Sequence, residues 1–118
     1  MAIVGAHVLL YSPQAEELRT ALREALGWPY VEAHDPPDGW QIFRLPQAEL
    51  GVHPSEGETK HELSLICDDL GATVAELQGK GLEIRGEPVE EEWGVWVVLV
   101  LPGGVEVRVY EARHRTAI

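Results

Sequence analysis

The chain has 118 residues, of which 45% are hydrophobic and 25% charged, and 20 acidic residues against 9 Lys and Arg give a net charge of −11. An apolar fraction this ordinary can form the core of one domain, whereas disorder needs low hydrophobicity together with high charge. So negative a surface repels phosphate backbones, which excludes nucleic acid as an expected partner. The longest apolar run, Val95–Leu101, is far shorter than the roughly 20 residues of a membrane span, so no membrane partner is expected.

The single cysteine, Cys67, excludes an internal disulfide and favours a reducing compartment. Residues Met1–Ala6 lack the basic start and long apolar stretch of a secretory signal. We therefore expect a cytoplasmic protein. Cys67 precedes an acidic pair, which disfavours a lowered thiol pKa and a role as nucleophile.

The first half of the chain predicts a strand over Ala6–Tyr11, followed by a helix that begins after Ser12 and has acidic residues in its first turn. Gly27 stands where a helix end favours glycine. One apolar stripe of this helix is predicted at Leu18, Leu22 and Leu26. Three short strands are then predicted at Tyr30–Ala33, Trp40–Leu45 and Glu49–His53.

The second half repeats this order. A strand is predicted over Glu62–Cys67, then a helix capped by Asp68-Asp69 and closed at Gly79–Gly81. The glutamate-rich stretch Glu87–Glu92 is predicted to be a turn or a solvated face. The remaining strands are predicted at Leu82–Ile84, Trp93–Leu101 and Val105–Tyr110, the last two separated by a turn at Pro102-Gly103-Gly104.

Subtraction of residue numbers supports an internal repeat. His7 and His61 lie 54 residues apart, as do Gly27 and Gly81. The Leu45-Pro46 pair recurs 56 residues later. One module used twice explains such constant offsets. We therefore predict a single domain, residues 1–118, built from two βαβββ modules at 5–55 and 60–112.

Alternation in the last strand predicts which side chains share a face. Val105, Val107 and Val109 take the face toward the helices, which leaves Glu106, Arg108 and Tyr110 on the other. An offset of 55 superposes His53 on Arg108, as 54 superposes His7 on His61. Polar residues therefore occupy repeat-equivalent strand positions.

Three segments of the chain resemble the vicinal oxygen chelate superfamily, which holds glyoxalases, extradiol dioxygenases and bleomycin-resistance proteins. They are the opening His7–Ser12, the second opening His61–Leu70, and the closing turn and strand Leu101–Glu111. The resemblance covers about residues 5 to 112. It implies an α+β fold in which paired βαβββ modules form a curved mixed β-sheet cup around a small-molecule site.

The resemblance places metal ligands of the family's metalloenzymes at His7, His53, His61 and Arg108. Three of these residues suit a divalent metal ion such as Zn, Ni, Fe or Mn. A guanidinium stays protonated and cannot coordinate, so the fourth position departs from the family's usual glutamate. One hypothesis is therefore a metal-dependent lyase, isomerase or dioxygenase of a small oxygenated substrate, with Arg108 binding the substrate and Glu106 acting as general base or fourth ligand.

The alternative hypothesis is a metal-free protein of the bleomycin-resistance kind that sequesters a drug or metabolite. Arg108 and Glu106 would favour an acidic or zwitterionic ligand, and Trp40 and Trp96 could stack on an aromatic one beside Tyr110. A structural or regulatory partner domain has only the acidic surface in its favour. By analogy with the family, and because sheet edges need cover, we expect a homodimer.

Overall fold

The computed structural model describes residues 6–32, 41–52 and 54–118. Helix α1, Ala15–Thr20, continues directly into a π-helical segment, Ala21–Ala25. The predicted apolar stripe is confirmed, because Leu18 and Leu22 are buried and Leu26 packs against the same core. Gly27 follows at φ +68°, a left-handed conformation that ends a helix at low cost for glycine.

Ser12 does not cap α1 as the sequence predicts. The residue before the helix is Gln14, and its side chain makes no capping hydrogen bond. Ser12 Oγ instead accepts a hydrogen bond from the Gln14 backbone N–H at 3.0 Å, in a local turn. It also donates to the Pro102 carbonyl at 2.9 Å, which ties the start of α1 to the second half of the chain.

Two short strands follow, β1 (Tyr30–Glu32) and β2 (Gln41–Phe43), which pair antiparallel as a separate two-stranded sheet. They correspond to the predicted strands at Tyr30–Ala33 and Trp40–Leu45, whose residues Ala33 and Trp40 lie outside the described part. The predicted strands at Ala6–Tyr11 and Glu49–His53 are not strands over their described residues, 6–11 and 49–52. A strand needs a hydrogen-bonded neighbour, and no sheet includes these segments there.

The second half forms β3 (Ser64–Cys67), α2 (Leu70–Gly79), β4 (Glu83–Glu91), β5 (Gly94–Leu101) and β6 (Val105–Ala112). The four strands make one mixed sheet in the order β3-β6-β5-β4, with β3 parallel to β6 and the other pairs antiparallel. Asp69 caps α2 as predicted, because its carboxylate accepts the Ala72 N–H at 3.0 Å. The predicted α+β class is confirmed. The pairing of modules 5–55 and 60–112 stays a prediction.

The stretch Glu87–Glu92 is not a turn. Residues 87–91 continue β4 beyond the predicted Leu82–Ile84, and Val89 and Glu90 pair with Trp96 and Val95 of β5. The register shifts between Arg85 and Val89, beside a glycine at φ +76° and a proline. Hydrogen bonds to β5 therefore keep a glutamate-rich segment extended while its side chains stay exposed, as the solvated-face alternative predicts.

One face of the four-stranded sheet carries the core. Its centre is formed by side chains of β5 and β6 that are at most 2% exposed: Val97, Leu99, Leu101, Val107 and Val109. The buried leucines of α1, the π-helical segment and α2 join the same cluster. In the described residues, no helix is long and apolar enough to cross a membrane.

Candidate functional site

The face of the sheet opposite the core carries the polar residues of β6. Val107 and Val109 point into the core, so strand alternation places Glu106, Arg108 and Tyr110 on the other side, as predicted. Trp96 and Val98 of β5 share that side because they pair with Tyr110 and Arg108. We call this surface the open face.

Sheet register brings three strands together around Arg108. Arg108 is opposite Ser64 on β3 and opposite Val98 on β5. The next open-face residue of β5 is Trp96, a diagonal cross-strand neighbour within reach of a long side chain. The Arg108 guanidinium carbon lies 4.2 Å from the centre of the Trp96 ring.

Stacking on the indole orients Arg108 without using its hydrogen-bond donors. The positive charge faces the electron-rich ring, while the N–H groups of a planar guanidinium point outward from its edge. Among the described residues, Arg108 has no ion pair or hydrogen bond, and the buried Trp96 Nε1 has no partner either. The arginine is therefore positioned to bind an anion.

A cavity of about 390 Å³ opens beside this pair. We call it the polar cavity, and the side chains that give it hydrogen-bonding character are His61, Ser64, Trp96, Glu106 and Arg108. Its volume falls in the usual range for small-molecule sites. His61 is exposed and precedes β3, so its imidazole lies at the edge of the cavity rather than in the core.

Glu106 lines the polar cavity but already has a cationic partner. Its carboxylate accepts a hydrogen bond from Arg85 of β4 in an exposed ion pair. Arg85 is held there by its pairing with Val98, the residue that also faces Arg108. The open face thus carries Glu106 with a partner and Arg108 without one, and the second is the group available to a ligand.

His7 lies on a different cavity. This second cavity, of about 540 Å³, lies among residues 6–12, α1 and β2, and most of its wall is apolar. We call it the apolar cavity, and its largest side chains are Leu9, Leu18, Leu22, Trp28 and Phe43. His7 and His61 therefore line separate cavities, whose walls share Leu10 and Leu63.

No protein-family model and no curated protein matches the chain. Solved structures do. TnmS3, an antibiotic binding protein from Streptomyces sp. CB03234, superposes with a TM-score of 0.68 at 21% identity, over 95% of this chain and 98% of that one. A glyoxalase/bleomycin resistance protein/dioxygenase superfamily member from Sphaerobacter thermophilus gives 0.63 at 21% identity, over 94% and 98%. The chain has the glyoxalase/bleomycin resistance/dioxygenase fold. Lactoylglutathione lyase from Agrobacterium tumefaciens, at 0.64 and 14% identity over 94% and 95%, shares it.

The glyoxalase fold gives a specific test for a metal site. Among the residues that the structure describes, no group of three or more His, Cys, Asp or Glu side chains could hold a metal ion. The fourth expected position carries the Arg108 guanidinium, which repels a cation. His53 and Trp40 lie outside the described residues, so the metal set of His7, His53 and His61 stays a prediction.

Tyr110 belongs to an aromatic group beside the polar cavity rather than to its wall. Its ring meets Trp93 edge-on at 5.3 Å, and its hydroxyl lies 3.2 Å from His114 Nε2. Burial, followed by the charge of Glu49, raises the pKa of the Tyr110 phenol. The expectation that His114 is merely solvated is therefore wrong, although its side chain is exposed.

Sequence reasoning missed Ser64 and Arg85 in this fold. Ser64 lies three residues after His61 in the second opening motif, but only the parallel register of β3 with β6 brings it opposite Arg108. Arg85 is distant in sequence from Glu106, and its role follows from the pairing of β4 with β5. Charge alternation would have suggested an open-face position for each, but no local pattern gives the partner strand.

Proposed function

We propose that this protein binds a small organic anion in the polar cavity, with the carboxylate or enolate of the ligand on Arg108. The observation that carries the proposal is the guanidinium stacked on Trp96, with its donors free among the described residues. A bidentate bond from arginine to a carboxylate is among the stronger hydrogen bonds in proteins. The Trp96 ring adds an apolar surface for the body of the ligand.

The polar groups around Arg108 support binding rather than catalysis. Glu106, the predicted general base, is held by Arg85, which stabilises its charged form but occupies its oxygens. Ser64 and His61 can add neutral donors to a bound carboxylate. A fold shared with an antibiotic binding protein is consistent with sequestration of a metabolite or drug.

A matched pair of ligands tests this proposal. Benzoate and benzamide have nearly the same shape, but only benzoate is charged. We expect calorimetry to show a preference for benzoate that Arg108→Gln reduces at least tenfold, because a charge-assisted hydrogen bond contributes about 1.5–3 kcal/mol. Binding of benzamide should change little. Equal affinity of the wild-type protein for both compounds, or no binding of either, would contradict the proposal.

Arg113→Gln is the matched control for Arg108→Gln. Arg113 is exposed, lies 3.5 Å from Glu90, and lines neither cavity. Its replacement removes the same charge from the whole protein. A loss of benzoate affinity in both variants would show that net charge, rather than the Arg108 site, controls binding.

The metal-dependent enzyme stays a separate prediction. Elemental analysis of protein purified without a histidine tag should find stoichiometric Zn, Ni, Fe or Mn if His7, His53 and His61 bind a metal, and His61→Ala should remove it. A metal-free wild-type protein that still binds benzoate would leave the binding function and contradict the enzyme. The cytoplasmic location and the homodimer are likewise part of this proposal.

A further inference from the structure

Two cavities with different chemical character share one wall. Leu10 and Leu63 line both the polar and the apolar cavity. A side chain that lines two cavities has open space on both sides of it, so at these residues the cavities are separated by little more than two leucines. Both leucines are half-buried and pack against the edge of the core. A change of leucine rotamer would therefore join the cavities without disturbing the centre of the core.

The two cavities divide polar and apolar groups between them. The polar cavity holds Arg108 with the hydroxyl of Ser64 and the imidazole of His61. The apolar cavity is the larger and is walled by leucines of α1 and the π-helical segment and by aromatic rings. A ligand that matches both needs an anionic head at one end and an apolar body at the other.

The apolar cavity also has cations at its edge, and they decide the orientation. Arg19 is in an ion pair with Glu16 at 2.8 Å, so its charge is already compensated. Arg44 is exposed, and its backbone N–H bonds to the Pro29 carbonyl. Only Arg108 is stacked on an aromatic ring with a serine and a histidine on the same cavity. A preorganised cation loses less side-chain entropy on binding.

We propose that the polar and apolar cavities form one elongated site for an amphipathic organic anion, whose head binds Arg108 and whose apolar body passes between Leu10 and Leu63. This inference rests on the proposed function, since it uses the same anion site. It adds that ligand affinity depends on an apolar chain long enough to cross the two leucines. The ligand class is that of medium-chain carboxylates and of aromatic acids with an apolar extension.

A series of straight-chain carboxylates tests the crossing. Butanoate, hexanoate, octanoate and decanoate are titrated by calorimetry below the concentrations at which they form micelles. Each methylene that enters the apolar cavity should raise affinity about two- to fourfold, because burial of a methylene contributes about 0.8 kcal/mol when complete. Affinity that stays flat from butanoate to decanoate would overturn the elongated site.

Substitutions at the wall locate the gain. Leu63→Phe adds bulk where the cavities meet, so it should weaken decanoate at least tenfold and leave butanoate within twofold. Leu63→Ala should keep or improve the binding of decanoate. Val31→Phe is the control, because Val31 is 64% exposed on β1 and lines neither cavity. Circular dichroism and thermal melting confirm folding, and Leu10→Phe replaces Leu63→Phe if the latter does not fold.

The outcomes separate the two proposals. If neither benzoate nor any carboxylate binds, the proposed function fails and this inference fails with it. If benzoate binds through Arg108 but chain length or Leu63→Phe has no selective effect, only the elongated site is wrong. If Arg44→Gln weakens decanoate more than Arg108→Gln does, the head lies in the other cavity and the proposed orientation is overturned.

Discussion

Two carboxylates from distant parts of the chain meet at the N-terminus of α2. Asp69 accepts the Ala72 N–H, and Glu111 of β6 accepts the Leu70 N–H, each at 3.0 Å. The first turn of a helix has N–H groups without partners inside the helix, and its dipole favours negative charge. The glutamate of the closing motif therefore joins the helix to the strand that carries Arg108.

We expect Glu111→Ala to lower the free energy of unfolding by about 1–2 kcal/mol, since a half-buried N–H loses its acceptor. Glu111→Gln should cost less, because an amide oxygen still accepts the bond. Urea denaturation measures both. Glu87→Ala, at an exposed position of β4, is the control and should stay within about 0.5 kcal/mol of the wild type. A Gln variant as unstable as the Ala variant would argue against the hydrogen bond.

Cys67 illustrates how burial affects a single thiol. Burial raises the pKa of the Cys67 thiol, the hydrogen bond with Thr73 opposes this, and the nearby carboxylates of Glu111, Asp68 and Asp69 raise it further. The thiol is therefore unreactive, in agreement with the sequence prediction.

We expect the rate of reaction of Cys67 with a disulfide reagent to rise with pH along a curve whose midpoint lies above that of the urea-unfolded chain. A folded pKa above the unfolded one favours the protonated thiol in the fold. Its contribution to stability is complete below the unfolded pKa and is lost as the pH rises through the folded pKa. Cys67→Ser should abolish the reaction. Coincident midpoints would refute the raised pKa.

At the scale of elements, the turn between β5 and β6 is held against the start of α1. Gly103 and Gly104 both have positive φ, at +88° and +79°. A Cβ on Gly103 would overlap Ser12 Oγ, whereas a Cβ on Gly104 would meet nothing within 4 Å. The Ser12 hydroxyl bonds to the Pro102 carbonyl in this turn, so the close approach serves that contact.

These two glycines make a matched pair. Gly104→Ala should cost about 1–2 kcal/mol of unfolding free energy from backbone strain alone. Gly103→Ala should cost about 1–3 kcal/mol more, because the added methyl also displaces Ser12. Denaturant titration of both variants gives the difference, and Ser12→Ala should reduce it. Equal costs would mean that the contact with Ser12 yields without resistance.

At the scale of the whole molecule, large apolar side chains remain uncovered in the first half. Val8 and Leu9 are each 51% exposed, and Leu50 and Val52 are each 92% exposed. Single exposed apolar residues are ordinary, but such a concentration is typical of an interaction surface. It is consistent with the proposed homodimer, in which segments that lack a strand partner in one chain would be covered by the second.

We expect light scattering after size exclusion to give twice the 13.1 kDa mass of one chain. Leu50→Lys with Val52→Lys should shift the protein toward the monomer, because two charges would have to lose their water on burial. Leu50→Met with Val52→Ile keeps the surface apolar and should leave the dimer intact. A wild-type protein that stays monomeric at high concentration would contradict this expectation.

Sequence by itself determined the features that depend on near neighbours along the chain. The alternation of Val107 and Val109 with Arg108, the Asp69 cap and the left-handed Gly27 all follow from spacing of a few residues, and the structure has them. The α+β class followed from the order of such elements. Only the tertiary structure decided that residues 87–91 form a strand, that Glu106 pairs with Arg85, and that Arg108 stacks on Trp96. Each depends on cross-strand register, which joins residues whose separation in the chain carries no local signal.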